Sequence, residues 1–474
     1  MSIDKLPRLL NWINGCATVP NQEARWLDKL NPHTGCLLYQ FIDSSEAEVN
    51  EAVSVATQSF KSWSHITPVK RGQILTDIAV LMKQKAEEIR DCIALETGKS
   101  KQDAAKEVEA AILQAEYFAG EGMRLYGRSI PSGMSGKYTH TVRQPLGVAG
   151  LIVPPNTPIA NIAWKTFPAL ICGNTVVLKA SEDAPRTALL FAELTQEAGL
   201  PNGVFNVIQG SGKLAGAALV QHDDISILSF TGSTAVGRWI AQVGGQRLAR
   251  ISLELGGKNP FVVCDDAYLD EAVRWAVLSA FSNAGQRCAA GSRLIIFKSI
   301  YEQFCDKFLS QVSQLKLGVS SGCDLGPLIN KNYQQSVLND IASARREGAR
   351  VLCGGESLQA PDLANGFYVQ PTVIEGLNPE SALSDKEIFG PVVMLYAVNT
   401  MQEALDLANQ TQYGLTAAIH TQSVDRAMWF AKRVRAGVAN VNLGTFGSEP
   451  HMSFGGFGFS GNGTREPGVE ALDV

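Results

Sequence analysis

From Leu146 onward the chain repeats one rhythm, a short apolar run followed by a helix-length segment, and that rhythm leaves few folds open. The β-rich runs are residues 147–153, 175–178, 204–208, 225–230 and 251–255. Helix-length segments such as 159–170 and 184–198 lie between them. The alternation predicts a parallel sheet covered by helices. Such sheets bind nucleotides beyond the carboxyl ends of their strands. A second alternating block starts at Pro260, with candidate helices at 269–283, 300–314 and 401–410 and candidate strands at 293–297 and 392–397. Gly256-Gly257, between the blocks, reads as a hinge between two lobes.

The region upstream, about 45–125, is helical in character. Ser45 and Glu48 make a capping box, and Val49, Ala52, Val53, Ala56 and Phe60 follow at helical spacing. A second long helical pattern runs from Pro68, a favourable first-turn proline, to Thr97 and stops at Gly98, a C-terminal glycine cap. Residues 128–143 are polar, with alternation over 137–142, and read equally as an exposed hairpin arm or as a surface loop. The glycine-rich stretch 454–463 reads as a loop that approaches something closely.

At 474 residues the chain has length for about three domains and can bury a large core. Its formal net charge is −5, and the Arg345-Arg346 pair is followed at once by Glu347. A nucleic-acid partner is therefore not expected. The nine cysteines form no C-x-x-C pair and no cluster with the six dispersed histidines. Neither a metal site nor a disulfide framework is expected, and free thiols fit a reducing compartment. Residues 1–20 lack a basic region followed by an apolar run, and the longest apolar stretch, near 146–155, is too short to span a bilayer. The expectation is a soluble cytoplasmic protein with no membrane partner.

Four places hold candidate chemistry. Cys288, in Gln286-Arg287-Cys288-Ala289-Ala290-Gly291, follows a predicted helix among small residues. A thiol there is accessible, and an adjacent cation would lower its pKa; a lone cysteine also packs as a small hydrophobe. Glu254, in Leu253-Glu254-Leu255-Gly256-Gly257-Lys258, ends an apolar strand. Desolvation would raise its pKa and suit it to general-base work, while a solvated strand-end acid is the alternative. Phe230-Thr231-Gly232-Ser233 joins a strand to a helix N-terminus, which attracts phosphates or is an ordinary capped start. Lys179 and Glu182, past another strand, could hold ribose hydroxyls or be a solvated pair. A Glu facing the adenosine ribose would repel a 2′-phosphate and favour NAD over NADP.

Taken together, the LELGGK run, the GQRC loop with its Cys 34 residues after Glu254 (288 − 254), the FTGS turn, the VLKxSE run, EIFGPV at 387–392 and SGNGTRE at 460–466 resemble the aldehyde dehydrogenase superfamily over nearly the whole chain. The resemblance implies an α/β fold with a Rossmann-like cofactor domain (1–125 and 145–256), an α/β catalytic domain (257–450) and a small β oligomerisation arm with tail (126–144 and 451–474). It implies NAD(P)-dependent oxidation of an aldehyde to an acid, with Cys288 as nucleophile, Glu254 as base and Asn156 as oxyanion amide. Val153, Pro154, Lys179, Ser181, Glu182, Gly212, Phe230, Gly232, Ser233 and Val236 would line the adenosine and phosphate side of NAD. Leu255, Glu387 and Phe389 would hold the nicotinamide and its ribose, and NADP use stays open. A carboxylate at 254 favours hydrolytic release over transfer to CoA. The alternatives are a CoA-acylating semialdehyde dehydrogenase and a catalytically silent structural homologue.

Three departures from the family pattern shape the expectation. The usual Pro-Trp-Asn-Phe-Pro reads Pro154-Pro155-Asn156-Thr157-Pro158. Thr157 and Asn161, with Trp164, would make the substrate wall polar and suit a small polar aldehyde or semialdehyde. Arg287 is a candidate for an acidic substrate or for activating Cys288. The tail's usual Gly-Gly-x-Lys reads Gly455-Gly456-Phe457-Gly458. The chain also stops at Val474, where relatives add a strand that pairs with the arm, so self-association is expected as a dimer rather than a tetramer.

Overall fold

The computed structural model describes residues 7–20, 24–319, 322–360 and 363–474. Two seven-stranded sheets organise it. The first contains β1 (Asn11–Ile13), β2 (Cys16–Thr18), β3 (Val148–Ile152), β4 (Thr175–Lys179), β5 (Phe205–Ile208), β6 (Ile225–Thr231) and β7 (Arg250–Glu254), in the order β7-β6-β3-β4-β5-β1-β2. Strands β3 to β7 run parallel, and β1 and β2 join antiparallel at one edge. The order reverses between β3 and β6, which are neighbours in space but not in sequence. A crevice opens at the carboxyl ends of strands at such a point.

Helices cover both faces, as parallel strands buried on two sides require. On one face lies α1 (Glu46–Trp63), whose buried Val49, Ala52, Val53 and Ala56 pack on Val148, Val177 and Ile208. The capping box is present, with the Ser45 N–H donating to Glu48 Oε2 at 2.8 Å. On the other face lie α2 (Pro68–Gln84), α3 (Ala86–Thr97), α4 (Lys101–Glu121), α5 (Pro158–Ile171) and α6 (Pro185–Glu197), packed on Ala149, Leu151, Val176 and Leu178. Alternation along β4 sends Val177 to one layer and its neighbours to the other. Each fully buried Leu, Ile or Phe stabilises by about 1.5–3 kcal/mol, so these two layers dominate the fold.

The second sheet contains β8 (Asn259–Val263), β9 (Gly291–Phe297), β10 (Arg350–Cys353), β11 (Thr372–Glu375), β12 (Val392–Val398), β13 (Thr416–His420) and β14 (Val438–Val441), in the order β10-β11-β12-β9-β8-β13-β14. It is parallel except for β10. No helix among the described residues is long and apolar enough to cross a membrane.

The expected strands and helices lie where the alternation puts them, within a residue or two. Three readings change. The single helical pattern over 68–97 is two helices, broken at Lys85 (φ −103°, ψ 19°). The apolar spacing carries across the break because Ile78, Met82, Ile89 and Ile93 all enter one core. The helix expected over 269–283 ends at Phe281, and Asn283 and Ala284 turn into the left-handed region at φ 54° and 53°. Strands β1 and β2 and a three-stranded sheet of Arg8–Leu9, Leu37–Ile42 and Trp26–Leu30 add to the expected elements; these strands are short, β1 and β2 pair locally across Asn14-Gly15, and the bonds of β1 to β5 and of Arg8–Leu9 to Leu37–Ile42 are the non-local ones. The arm does form a hairpin, Ser129–Ile130 against Thr139–His140.

Candidate active site

The two sheets meet across a cavity of about 290 Å³ to which Cys288, Glu254 and Asn156 all contribute. Each arrives by a different local device. Asn156 stands in the turn between β3 and α5, where Pro158 occupies the first helical position. Its Nδ2 donates to the Gln286 carbonyl at 3.0 Å, while its buried Oδ1 has no partner among the described residues. Cys288 follows the left-handed turn through Asn283 and Ala284. Asn259 Nδ2 donates to the Cys288 carbonyl at 2.7 Å and to the Ala290 carbonyl at 2.8 Å, and Thr445 Oγ1 to the Ala289 carbonyl at 2.6 Å. The loop backbone is thus pinned on both sides of the thiol.

Glu254 is the last residue of β7. It is 3% exposed, and neither of its carboxyl oxygens has a hydrogen-bond partner among the described residues. Burial, reinforced by the charge of Glu466, raises its pKa well above the carboxylate range, with Lys165 and Arg465 opposing. The glycine tail explains how this acid fits. Gly455 has φ +146°, and a Cβ there would lie 2.8 Å from Glu254 Oε1. The close approach expected of that loop is therefore to Glu254 itself. Burial also pushes the Cys288 thiol up to about 12, with the Glu387 and Glu254 carboxyls adding to the shift.

Glu387 lines the same cavity. Burial raises it to about 7, and the Gly257 N–H, which donates to its Oε1 at 3.1 Å, works the other way. A Cβ on Gly256 would collide with the Glu387 carboxylate, and one on Gly257 would lie 2.5 Å from the Cys288 carbonyl. The glycine pair read as a hinge is required for close packing. Phe389 holds φ 56°, a strained state for a bulky residue of the kind found at functional sites.

Pro154, Gly232, Ser233, Leu255, Glu387 and Phe389 line the cavity, as do Thr157, Asn161 and Trp164. Asn161 Nδ2 donates to the Thr157 carbonyl at 2.9 Å and to its Oγ1 at 2.7 Å, so this wall is polar and internally tied. Trp164 meets Phe454 edge-on, with centroids 5.5 Å apart. Lys179, Glu182 and Gly212 form a separate group beyond β4, with Lys179 Nζ 2.9 Å from Glu182 Oε2 and the Gly212 N–H donating to Oε1 at 2.6 Å. Burial would raise Glu182, but Lys179 and Gly212 outweigh it and hold the acid below its ordinary value. Ser181 Oγ accepts the Asp183 N–H at 3.2 Å, Val153 and Phe230 are buried beside the strand ends, and Val236 lies exposed in the first turn of the helix Thr234–Gln246. Arg287 is not brought into the cavity lining; its guanidinium lies over the Phe446 ring at 5.1 Å.

The group beyond β4 suits a dinucleotide. An ionised carboxylate past a strand end accepts ribose hydroxyls and repels a 2′-phosphate, and the nearby helix N-terminus, capped by Ser233, suits a pyrophosphate.

Some site residues carry no sequence signal on their own. Lys165 is the single charge in α5, and its Nζ donates to Glu466 at 2.8 Å, which Ser229 at 2.8 Å and Ser252 at 2.6 Å also hold. A lone cation in an apolar helix could have flagged it. Tyr333 and Ser336 enter the lining from a distant helix with no such clue.

Fold and site together set a thiol, a buried carboxylic acid and an amide on one cavity at the carboxyl ends of a parallel, helix-covered sheet. The profile of the aldehyde dehydrogenase family matches residues 18–474, and the chain belongs to that family. It is 38% identical over 467 residues to an alpha-ketoglutaric semialdehyde dehydrogenase of Bacillus subtilis (strain 168), covering 98% of this chain and 96% of that one. It is 39% identical over 450 residues to aldehyde dehydrogenase, cytosolic 1, of Mus musculus, covering 94% and 88%. Among solved structures it matches betaine aldehyde dehydrogenase from Staphylococcus aureus in complex with NAD+, with a TM-score of 0.96, 30% identity and coverage of 99% and 93%. NAD-dependent aldehyde oxidation is the general reaction of the family.

Proposed function

We propose that this protein oxidises a small polar aldehyde to the free carboxylic acid with NAD as electron acceptor. The observation that carries the reading is the convergence on one cavity of a thiol, an amide and a buried carboxylic acid that has no hydrogen-bond partner among the described residues. Cys288, as thiolate, adds to the aldehyde carbonyl. The alkoxide that forms is stabilised by Asn156 Nδ2 and the Cys288 backbone N–H, and loss of one such donor costs ~10²–10³ in rate. NAD, held by Lys179 and Glu182 on its adenosine side and by Leu255, Glu387 and Phe389 on its nicotinamide side, supplies the hydride acceptor when bound. Cys288 is left carrying a thioester. Glu254 takes a proton from the attacking water, and the acid leaves.

The ionised Glu182 favours NAD over NADP. The tied pair Thr157 and Asn161 favours a polar substrate. A second reading is an acidic semialdehyde, for which Arg287 would have to leave the Phe446 ring to reach the cavity. The Bacillus subtilis relative's printed name points the same way. In this reading residues 1–125 and 145–256 serve the nucleotide, 257–450 carry the nucleophile, and 126–144 with 451–474 serve self-association of a cytoplasmic enzyme.

The test is NADH absorbance with NAD and a panel of short alkyl, hydroxylated, aromatic and carboxylated aldehydes, on wild type and Cys288→Ala. Wild type should form NADH and the variant none, while both bind NAD. Equal turnover of long alkyl aldehydes would sink the polar-substrate reading. Activity that appears only with CoA would transfer the assignment to an acylating enzyme.

A further inference from the structure

The position of Asn156 depends on two charged side chains that lie outside the cavity. Gly98 closes α3 at φ +74°, and Ser100 caps α4 by accepting the Asp103 N–H at 3.1 Å. Lys99 is the one residue between these two caps, and it turns inward, 5% exposed. Its Nζ donates to the Asn156 carbonyl at 2.6 Å and to Glu107 Oε2 at 2.5 Å. Glu107, on α4, is itself buried. Its other oxygen accepts the N–H groups of Ile159 at 2.9 Å and Ala160 at 3.4 Å, in the first turn of α5. That helix has no side-chain cap from its own Thr157, so Glu107 caps it from a neighbouring helix and meets the positive end of its dipole. Asn283 Nδ2 adds a second donor to the Asn156 carbonyl at 3.2 Å.

The Asn156 peptide is therefore held from both sides: by Lys99 from the helical layer of the first sheet, and by Asn283 from the turn before Cys288. The amide is left to reach the Gln286 carbonyl with one N–H, which keeps the other for a ligand. A buried ion pair is often no more stabilising than well-packed apolar residues. What this pair supplies that apolar residues could not is direction. It fixes both the carbonyl of Asn156 and the start of the helix that follows.

We infer that Lys99 and Glu107 are positioning residues for the Asn156 amide, acting on the rate of addition to the substrate carbonyl through the placement of that one donor. The inference rests on the proposed role of Asn156 as oxyanion donor. Misplacement of a reacting or stabilising group by about 1 Å costs on the order of 10² in rate.

The test is the pre-steady-state burst of NADH for wild type, Lys99→Met, Asn156→Ala and the double variant, with NAD affinity from fluorescence titration. Lys99→Met should slow the burst by about 10²-fold with NAD affinity held within about two-fold. In the Asn156→Ala background the same change should cost nothing further, because the donor it positions is gone. Should Lys99→Met fail to fold around an unpaired Glu107, the pair Lys99→Met with Glu107→Gln removes both charges and should show the same loss. A wild-type burst in either folded variant overturns the inference. Losses that multiply in the double variant overturn it while leaving the role of Asn156 intact. Asn156→Ala as fast as wild type overturns the oxyanion reading and this inference together.

Discussion

Glu254 and Cys288 share one electrostatic setting, and it dictates how activity responds to pH. Desolvation raises both, with the Glu466 charge adding to the shift of the buried Glu254, and the Glu387 and Glu254 charges to that of the half-buried Cys288. A base whose pKa is raised is protonated below that value and cannot take a proton from water. Its contribution is absent at low pH and appears as pH rises. The thiol titrates in the same direction. The turnover number should therefore go on rising through neutral and mildly alkaline pH rather than plateau just above the ordinary carboxylate range. A flat profile over that window would contradict the burial argument. Glu254→Gln should keep a burst of about one NADH per site and then stall, because hydride loss precedes the step that needs the base. A lost burst would show that Glu254 acts earlier.

At the scale of elements, the caps decide where side chains point. Gly98 ends α3 in a left-handed state and so aims Lys99 inward. A Cβ at Gly98 would lie 2.7 Å from Pro327 Cγ. The Pro327 carbonyl accepts from Gln286 Nε2 at 3.3 Å, next to the nucleophile loop. Gly98→Ala should cost at least about 1–2 kcal/mol from the backbone alone, read as a lowered denaturant midpoint. It should also slow the burst, since both partners of Asn156 move. A variant as stable as wild type would contradict the left-handed strain assigned to this position. The capping box at Ser45 and the glycine stop at Gly98 were legible because caps are local. The break at Lys85 was not, because the apolar period runs through it into a single core.

At the scale of the molecule, the hairpin Ser129–Ile130 with Thr139–His140 stands apart from both sheets. Tyr126 and Val142 on its flanks and Met134 and Tyr138 between its strands are exposed. Under the proposed self-association, these are residues that a second chain would cover. Replacing residues 128–143 by a short glycine-serine link should shift the protein toward monomer in light scattering, with the cavity residues untouched. An unchanged mass would assign assembly to another surface.

Periodicity, caps and short motifs act over a few residues, and they carry the alternation of strands and helices, the parallel sheets, the family and the three residues that converge on the cavity. Which distant atoms meet depends on how the whole chain packs. It brought the tail glycine Gly455 against Glu254, set Arg287 on Phe446 rather than in the cavity lining, and joined Lys99 and Glu107 to Asn156. Such contacts join residues tens to hundreds of positions apart, and no local propensity encodes them. Burial, which sets the pKa of Glu254 and Cys288, is likewise a property of packing and not of any segment.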